Sequence, residues 1–443
     1  MTQRVARPLS TGRRVLTEEG DVVVLGGGIS GLCAALMLAP LRVTLVTAQP
    51  LSRQPRSRHL TAELAAIAAT TPEARIEATR QAGAGLADPA LAHMVAGDAA
   101  TQINWLATLA PGFVPQRTAG RAGAETGQTL LDAVVAAARS NPAIRILENF
   151  EAKSLNTTDS VMTGVSLLPA GTIRRTAFVD LPARAVVLAT GGIGALYATA
   201  APNNAGQGEG LALAARAGAL IADAELVHFG PDVEQGTTGT SPPSVYHLGG
   251  VLADARGRTT IDGLWAIGEA AATGLHGAGL VPGNALLELL VLGARIAEDI
   301  KGIEPHRGLG PTPLPDLPTL PLGEAAGPLE AALFADLCRI FAANVARKRT
   351  ATGLQAALDH IAALALRSRG AIALDNMLLS ARLVAWSALS REESRGVHLR
   401  SDFPQARPGP TQRTLVRLAD LPALEATKSL SQTPSDTQRR RRT

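Results

Sequence analysis

Three glycines near the start of the chain have the spacing that binds a phosphate. Gly26, Gly28 and Gly31 form G-x-G-x-x-G in "GGGISG", between the apolar run "DVVVL" and the helical pattern "LCAALMLA". The first glycine allows a tight turn, the second lets backbone approach a pyrophosphate, and the third lets the helix pack on the strand. The N–H groups and dipole of the helix favour an anion. The motif therefore predicts dinucleotide binding.

The expected partner of the nucleotide ribose is missing. An Asp or Glu about 20 residues after the glycines would hold a ribose hydroxyl. Here the second strand ends in "LVTAQP", where Thr47 is the only polar side chain at that point. We expect Thr47 to be a weaker anchor than a carboxylate.

A second glycine-rich segment is "TGLHGAGLVPGNALLE", residues 273 to 288. Its four glycines let backbone come close to a ligand, and it leads into an apolar helix. It carries no positive charge and few polar groups, among them His276.

These motifs require strands and helices in alternation. Residues 21 to 46 are predicted to form a βαβ unit, and "ARAVVLATGG" and "GLWAIGEAA" are predicted to be buried strands that end in glycine turns. "GEGLALAARAGALI" and "ALLELLVLGARIAEDI" are predicted helices. Because parallel strands present their carboxyl ends at one edge of a sheet, we expect the glycine turns to meet there.

Composition narrows the functional class. The 443 residues are 46% hydrophobic and 18% charged, which is typical of a globular protein with two or three domains. Only 3% are aromatic, which argues against a platform for nucleic-acid bases. Arg439 to Arg442 account for the net charge of +4, because the remaining 38 basic residues balance 38 acidic ones. We interpret this terminal segment as a solvated tail.

Several other classes are not favoured. Cys33 and Cys338 are far apart in sequence, so we expect neither a disulfide framework nor a thiolate metal site. No secretory signal is recognisable, and no uncharged apolar run reaches the roughly 18 residues that span a bilayer. We therefore expect a cytoplasmic protein without metal, membrane or nucleic-acid partners.

Later motifs occur in an order that resembles one flavoprotein family. They are "VVLATGG", "GQGEGLALAARAGA", "GLWAIGEAAATGLHGAG", "GNALLELLVLGARIAEDI" and "REESRGVHLRSDFP". Together they resemble the family of L-aspartate oxidase, succinate dehydrogenase and fumarate reductase. "TGLHGA" and "ANVARKRTATGLQAAL" are most similar to L-aspartate oxidase. The resemblance covers residues 21 to 50, 127 to 303 and 330 to 404.

The resemblance implies FAD as cofactor and assigns residues to it. Gly26 to Gly31 would hold the pyrophosphate. Thr190, Gly191 and Gly192 would close over the nucleotide, and Glu209 and Glu269 would contact cofactor hydroxyls. The backbone of the helix start would meet the flavin ring, at Asn284, Ala285 and Leu286.

The resemblance also implies a reaction. L-aspartate would be oxidised to iminoaspartate by hydride transfer to FAD, with O2 or fumarate as the electron acceptor. This step belongs to NAD (quinolinate) biosynthesis, which makes quinolinate synthase a candidate pathway partner.

The cationic groups that the family uses for its dicarboxylate substrate are missing. Leu280 occupies the position of the loop arginine, and Gly230 and Val245 occupy those of two histidines. The capping domain would lie between Phe229 and Tyr246, where only 16 residues are found, far fewer than the about 50 that a domain needs. The flavin-contacting loop of the family is also unrecognisable in "LSRQPRSRHLTAEL".

Four side chains could replace part of what is missing. His247 lies two residues from the expected histidine, and His276 lies in the glycine-rich loop. Arg395 and His398 in "ESRGVH" are further candidates. For each, a purely structural role is the alternative. We take His247 and His276 as the candidate catalytic residues.

Three functions remain open at this point. The first is an L-aspartate oxidase of reduced length. The second is a non-catalytic or degenerate FAD-binding paralogue, which unpaired substrate carboxylates would favour. The third is a fumarate- or succinate-type oxidoreductase that acts on a different acid.

The expected architecture is a doubly wound, Rossmann-like α/β domain that binds FAD, with a vestigial capping segment and a C-terminal helical domain. The predicted boundaries are 1–20 for an N-terminal extension, 21–225 for the first part of the FAD domain, 226–245 for the residual capping segment, 246–303 for the second part, 304–328 for a proline-rich linker, 329–405 for the helical domain and 406–443 for a flexible tail.

Overall fold

The computed structural model describes residues 22–53, 57–110, 123–170, 178–183, 185–197, 206–230, 245–303, 328–368 and 371–424. The predicted N-terminal extension 1–20, residues 304–327 of the predicted linker and Arg439–Arg442 lie outside the described residues.

The strands in chain order are β1 Val22–Leu25, β2 Val43–Thr47, β3 Ile144–Glu148, β4 Phe150–Thr158, β5 Val161–Pro169, β6 Val179–Pro182, β7 Ala185–Leu188, β8 Ile221–Ala222, β9 Val227–Phe229, β10 Val245–His247, β11 Gly250–Leu252, β12 Leu264–Ala266, β13 Ala271–Ala272, β14 Lys348–Arg349, β15 Leu399–Arg400 and β16 Leu415–Val416. The helices are α1 Ile29–Leu38, α2 Ser57–Ala68, α3 Pro72–Ala82, α4 Pro89–Leu109, α5 Gly123–Ser140, α6 Glu209–Arg216, α7 Asn284–Lys301, α8 Pro328–Asn344, α9 Ala351–Ser368 and α10 Ile372–Ser390.

A five-stranded parallel sheet forms the centre of the fold, in the order β12-β7-β1-β2-β3. In the central strand, Val22 pairs with Val43 on one side and with Ala185 on the other. Side chains alternate across the sheet, so Val22 and Val24 join one core while Val23 and Leu25 join another. Both faces are covered, which confirms the predicted doubly wound α/β fold.

The first core lies between the sheet and helices α1, α4, α5 and α7. The second core lies on the opposite face, where the antiparallel sheet β4-β5-β6 packs together with α6. Helices α8, α9 and α10 join this same second core through residues such as Phe341 and Leu383. The C-terminal helices therefore share a hydrophobic core with the α/β domain.

Two sequence expectations about helix and tail boundaries need correction. The helix predicted over residues 208–221 ends at Arg216, and Ile221–Ala222 is strand β8. Residues 406–424, expected to begin a flexible tail, contain β16, which pairs antiparallel with β8. Val416 is buried, and Thr414 N donates a 2.9 Å hydrogen bond to Asp223 Oδ1. These contacts hold the segment against the α/β domain.

The described part of the predicted capping segment includes β9, which pairs with β10 at the end of the segment. β9 and β10 are antiparallel, with Phe229 opposite Val245 and Val227 opposite His247. The residues between them, 231–244, lie outside the described part of the chain.

Helix α10 is the one described helix that is long and apolar enough to cross a membrane. Two thirds of its apolar window is buried inside the protein. Its apolar side chains, including Met377 and Val384, belong to the second core.

Candidate functional site

The glycine turn after β1 leaves open space where a phosphate would bind. Gly26 has φ +119°, and a Cβ there would overlap the carbonyl oxygen of Ala189. A Cβ at Gly31 would overlap the carbonyl oxygen of Gly26. At Gly28, by contrast, no atom lies within 4 Å of a Cβ position. Gly26 and Gly31 are thus required for packing, while Gly28 faces a cradle that a ligand can fill.

The first turn of α1 adds backbone donors to this cradle. Gly28 is the N-cap residue and contributes no side-chain hydrogen bond. The N–H groups of the first helical turn are therefore available to an anion, as the glycine motif predicts.

Thr47 lies beneath the glycine turn. Its side chain is buried, and its Oγ1 donates a 2.8 Å hydrogen bond to the carbonyl oxygen of Gln49. A Cβ at Gly27 would lie 2.6 Å from Thr47 Oγ1. The hydroxyl proton of Thr47 is already used, so this residue could offer a ribose only an acceptor.

The turns after β7 and β12 meet the glycine turn at the same edge of the sheet. Gly191 has φ +78° and, like Gly28, no atom within 4 Å of a Cβ position. Thr190 Oγ1 is buried and has no hydrogen-bond partner among the described residues. A buried polar atom without a partner is rare in a folded protein. It fits a ligand that supplies the missing partner.

Glu209 and Glu269 lie beside this turn. Glu209 begins α6, next to Gly210, which packs on Thr190. Desolvation by the surrounding protein raises the pKa of Glu209 to about 7. A Cβ at Gly192 would overlap the carboxylate of Glu269, so this side chain closes over the same turn.

His247 lies at this edge but is held by the backbone. Its backbone N–H donates to Glu269 Oε2 at 3.4 Å. Burial lowers the pKa of His247, so the ring is neutral, and its Nε2–H donates to the carbonyl oxygen of Ala224 at 3.0 Å. One ring nitrogen of His247 therefore has a structural partner.

His276 belongs to a buried group in the second glycine-rich segment. Its Nε2 lies 2.9 Å from Glu288 Oε2, and Thr273 Oγ1 hydrogen-bonds to the other carboxylate oxygen. The ring of Tyr246 packs edge-on against His276, with 5.6 Å between centroids. His276 Nδ1 is buried and has no hydrogen-bond partner in the described part of the chain.

The start of α7 is engaged by α2 and α3. Leu286 N donates a 3.3 Å hydrogen bond to Glu63 Oε2. The side chain of Asn284 accepts from Arg75 Nη1 at 3.1 Å and donates to Thr79 Oγ1 at 2.8 Å. The side chain of Asn284 therefore joins the start of α7 to α3. A flavin contact with the Leu286 N–H would have to replace Glu63.

Leu280, the position that the resemblance assigns to the loop arginine, lies in apolar surroundings. Leu280 packs with Tyr246 and Val397 against a small cluster of Leu86, Leu226, Leu248 and Ala278. Arg75 is buried beside this region, and its hydrogen bonds go to neutral oxygens, those of Ala66, Pro282 and Asn284. The guanidinium of Arg75 is therefore engaged by the protein itself.

Arg395 and His398 belong to an internal network. Arg395 Nη2 pairs with Glu393 at 2.9 Å, and its Nη1 donates to the carbonyl oxygen of Ala84 at 2.7 Å. His398 Nδ1 accepts from Arg349 Nη1 at 2.8 Å. Burial, together with the charge of Arg349, lowers the pKa of His398 to about 3. Both side chains tie loops together, which favours their structural interpretation.

Glu63, Arg75 and Glu288 were not recognised from the sequence. Glu288 had a usable signal, because it is a lone carboxylate in the apolar run "NALLELLVL" and so requires a buried partner. Arg75 and Glu63 occur in helices whose composition is typical of a solvated face. Within the described residues, no group of three His, Cys, Asp or Glu side chains could hold a metal ion.

Known proteins match most of this chain. The FAD binding domain family matches residues 21–241 and 237–286, and the C-terminal family of the fumarate reductase flavoprotein matches residues 368–421. L-aspartate oxidase of Caulobacter vibrioides is 30% identical over 89% of this chain and 95% of its own length. L-aspartate oxidase of Agrobacterium fabrum is 28% identical over 88% of this chain and 92% of its own.

Solved structures agree on the fold. The quinol fumarate reductase flavoprotein of E. coli superimposes with a TM-score of 0.70 at 19% identity, covering 92% of this chain and 98% of that one. Sdh1 of Mycobacterium smegmatis gives a TM-score of 0.65 at 21% identity, covering 88% and 90%. The open space at Gly28 and the unpartnered Thr190 hydroxyl fit a bound nucleotide. The chain belongs to the FAD-binding succinate dehydrogenase and fumarate reductase flavoprotein family, and within it to the L-aspartate oxidase type.

Proposed function

We propose that this chain is an FAD-dependent L-aspartate oxidase that converts L-aspartate to iminoaspartate for NAD biosynthesis. O2 or fumarate would reoxidise the cofactor, and quinolinate synthase would use the product in the cytoplasm. The observation that supports this most is the open surface at Gly28 and Gly191 beside the free Thr190 hydroxyl. It occurs in a chain whose relatives at 28% and 30% identity are L-aspartate oxidases.

The residues at the sheet edge would hold the cofactor. Gly28 and the first turn of α1 would bind the pyrophosphate, and Thr190 to Gly192 would cover the nucleotide. Glu209 and Glu269 would accept hydrogen bonds from cofactor hydroxyls, with Thr47 beneath them. When bound, FAD supplies a two-electron acceptor for hydride.

Of the two candidate catalytic histidines, His276 has the stronger geometric support. One nitrogen of each ring is engaged, but the partner of His247 is a backbone carbonyl, which cannot balance an imidazolium, whereas the partner of His276 is the Glu288 carboxylate. His276 keeps Nδ1 without a partner while Glu288 holds its other nitrogen. A base must have a free acceptor atom, and His276 has one.

A second function is favoured by the surroundings of Leu280. Its apolar cluster offers no charge to a substrate carboxylate, and an unpaired carboxylate costs several kcal/mol of binding. A flavoprotein that acts on a less charged acid, or one without oxidase turnover, fits this observation.

The visible spectrum of the purified protein, recorded before and after anaerobic addition of L-aspartate, tests the proposal. Bleaching of a flavin spectrum by L-aspartate is the expected result. A flavin spectrum that a monocarboxylic amino acid such as L-alanine bleaches and L-aspartate leaves unchanged would favour the less charged acid. A flavin spectrum unchanged by either acid would favour a protein without this turnover.

A further inference from the structure

His276 and Glu288 form a buried pair whose proton positions follow from the hydrogen bonds around it. Thr273 Oγ1 accepts the N–H of Leu275 at 3.2 Å, so its own hydrogen is directed to Glu288 Oε1. Glu288 Oε2 faces His276 Nε2 at 2.9 Å. A carboxylate that accepts on both oxygens is satisfied in its ionised form. An ionised Glu288 can only accept, so His276 then carries its hydrogen on Nε2, and a hydrogen on Nδ1 would be a buried donor without a partner among the described residues.

The second ring nitrogen is then a lone-pair acceptor in a buried position. His276 is 4% exposed, Glu288 is 3% exposed, and Nδ1 has no partner among the described residues. The ionisable groups that face the ring are Glu288 on α7, Glu63 on α2 and Tyr246 on β10. Glu288 is hydrogen-bonded to the imidazole ring of His276, and the aromatic ring of Tyr246 packs edge-on against it.

A carboxylate bonded to one nitrogen of a histidine fixes the tautomer and stabilises the imidazolium that forms when the other nitrogen takes a proton. An amino acid arrives as an ammonium ion, which has no lone pair with which to form a carbon–nitrogen double bond. Loss of hydride from its α-carbon thus requires that a base first remove one N–H proton.

We propose that Glu288 is a positioning residue that holds His276 as the Nε2–H tautomer, so that Nδ1 accepts a proton from the substrate ammonium. One N–H bond of the substrate breaks and its electron pair stays on the substrate nitrogen. A new N–H bond forms at Nδ1, and the Glu288 carboxylate balances the resulting imidazolium. The substrate class, an amine-bearing acid, rests on the proposed function above.

Nitrogen NMR of the FAD-loaded protein tests the tautomer directly, without a variant. The protein is labelled with ring-15N histidine, and the His276 signal among the eight histidines is identified by its loss in His276→Asn. We expect a lone-pair nitrogen at Nδ1 and a protonated nitrogen at Nε2. The opposite assignment would overturn the proposal, and this result is independent of whether L-aspartate reduces the flavin.

Glu288→Gln tests the consequence. In this variant the carboxamide oxygen can accept the hydrogen bond from Thr273 Oγ1. The amide NH2 group then donates to His276 Nε2, so the ring proton moves to Nδ1. We expect the two nitrogen signals to exchange and anaerobic flavin reduction by L-aspartate to slow by about 100-fold or more. The binding constant for FAD should stay unchanged. The matched control is Glu298→Gln, at an exposed position of the same helix.

The outcomes separate the two proposals. A wild-type flavin that L-aspartate does not reduce contradicts the proposed function. If L-aspartate does not reduce the wild-type flavin but His276 has the expected tautomer, the positioning of His276 by Glu288 is supported. Proton transfer from the substrate amine to His276 is then rejected. Reduction of Glu288→Gln at the wild-type rate overturns the inference. If Glu288→Gln fails to fold, the wild-type spectrum still decides the tautomer.

Discussion

The carboxylate of Glu63 accepts the backbone N–H of Leu286 at 3.3 Å, at the start of the helix Asn284–Lys301. Burial raises the pKa of Glu63, although hydrogen bonds from the backbone of Leu286 and Gly283 act in the opposite direction. This carboxylate occupies the helix N-terminus that the family resemblance assigns to the flavin ring. Cofactor and side chain would therefore compete for one donor.

The first prediction concerns this competition. Glu63→Ala frees the Leu286 N–H and removes a negative charge from the position assigned to the flavin. We expect the dissociation constant for FAD, measured by flavin fluorescence, to fall by about 3- to 10-fold, the equivalent of one hydrogen bond. Glu73→Ala, at an exposed position of α3, is the control. An unchanged constant would contradict a flavin contact at Leu286.

The second prediction separates ligand space from packing in the glycine turn. Gly28 has φ −72° and open space at its Cβ position, so Gly28→Ala should leave the melting temperature of the apoprotein unchanged. It should still weaken FAD binding by about 10-fold or more, since the added methyl fills the space of the pyrophosphate. Gly28→Val should abolish flavin retention.

Gly26→Ala and Gly31→Ala are the matched comparison. Each would place a Cβ on a backbone carbonyl, so each should lower the free energy of unfolding by about 2 kcal/mol or more. Tight FAD binding by Gly28→Ala would be incompatible with the phosphate assignment.

The third prediction follows from the pKa of Glu209, about 7 against an ordinary value of 4.5. Between these values the native protein keeps a proton that the unfolded chain has lost. The free energy of unfolding of the apoprotein therefore falls as pH rises from 4.5 to 7, with a contribution of roughly 3 kcal/mol from this group. Glu209→Gln should remove that contribution in urea titrations across this range. If the free energy of unfolding depends on pH in the same way in the wild type and in Glu209→Gln, Glu209 ionises with its ordinary pKa.

The fourth prediction concerns the buried charges that join the C-terminal segment to the α/β domain. Arg391 contacts Glu225 Oε1 at 2.5 Å, Glu393 Oε1 at 2.8 Å and Asp223 Oδ1 at 3.4 Å. Arg391→Met leaves the buried carboxylate of Glu225 without its cation, and we expect a loss of about 3–5 kcal/mol in the free energy of unfolding.

Arg407→Met is the control for this change. Arg407 pairs with Glu392 at 3.2 Å on the surface, where such pairs contribute about 0–1 kcal/mol. Fluorescence of the buried Trp265 and of Trp386 in α10 should report one shared transition, because the C-terminal helices pack on the core of the α/β domain. Equal stability of the two variants would argue against the network as a structural tie.

Local patterns were sufficient for the fold class and the cofactor. A glycine turn between a buried strand and a helix has few structural solutions, and "GGGISG", "LATGG" and "AIGEAA" each mark one strand end. The parallel arrangement then brings these ends together, as the sheet order confirms. The FAD expectation is confirmed by the matching family.

Patterns were insufficient where a residue's role depends on distant contacts. The segment 406–424 looks like a polar tail in sequence, yet Arg413 and Thr414 contact Asp223 and Glu225, about 190 residues away. The acidic partners lie in the turn after β8. No local periodicity in the sequence predicts such a long-range pairing.

What the sequence determined by itself is the backbone of the glycine turns, because a Cβ at Gly26 or Gly31 would overlap a backbone carbonyl. Only the tertiary structure decided the states of the polar side chains. It placed Glu63 at the Leu286 N–H, tied His247 to Ala224 and left His276 Nδ1 without a partner. A hydrogen-bonding side chain acquires its proton and its orientation from neighbours, and in this chain those neighbours come from elements far apart in sequence.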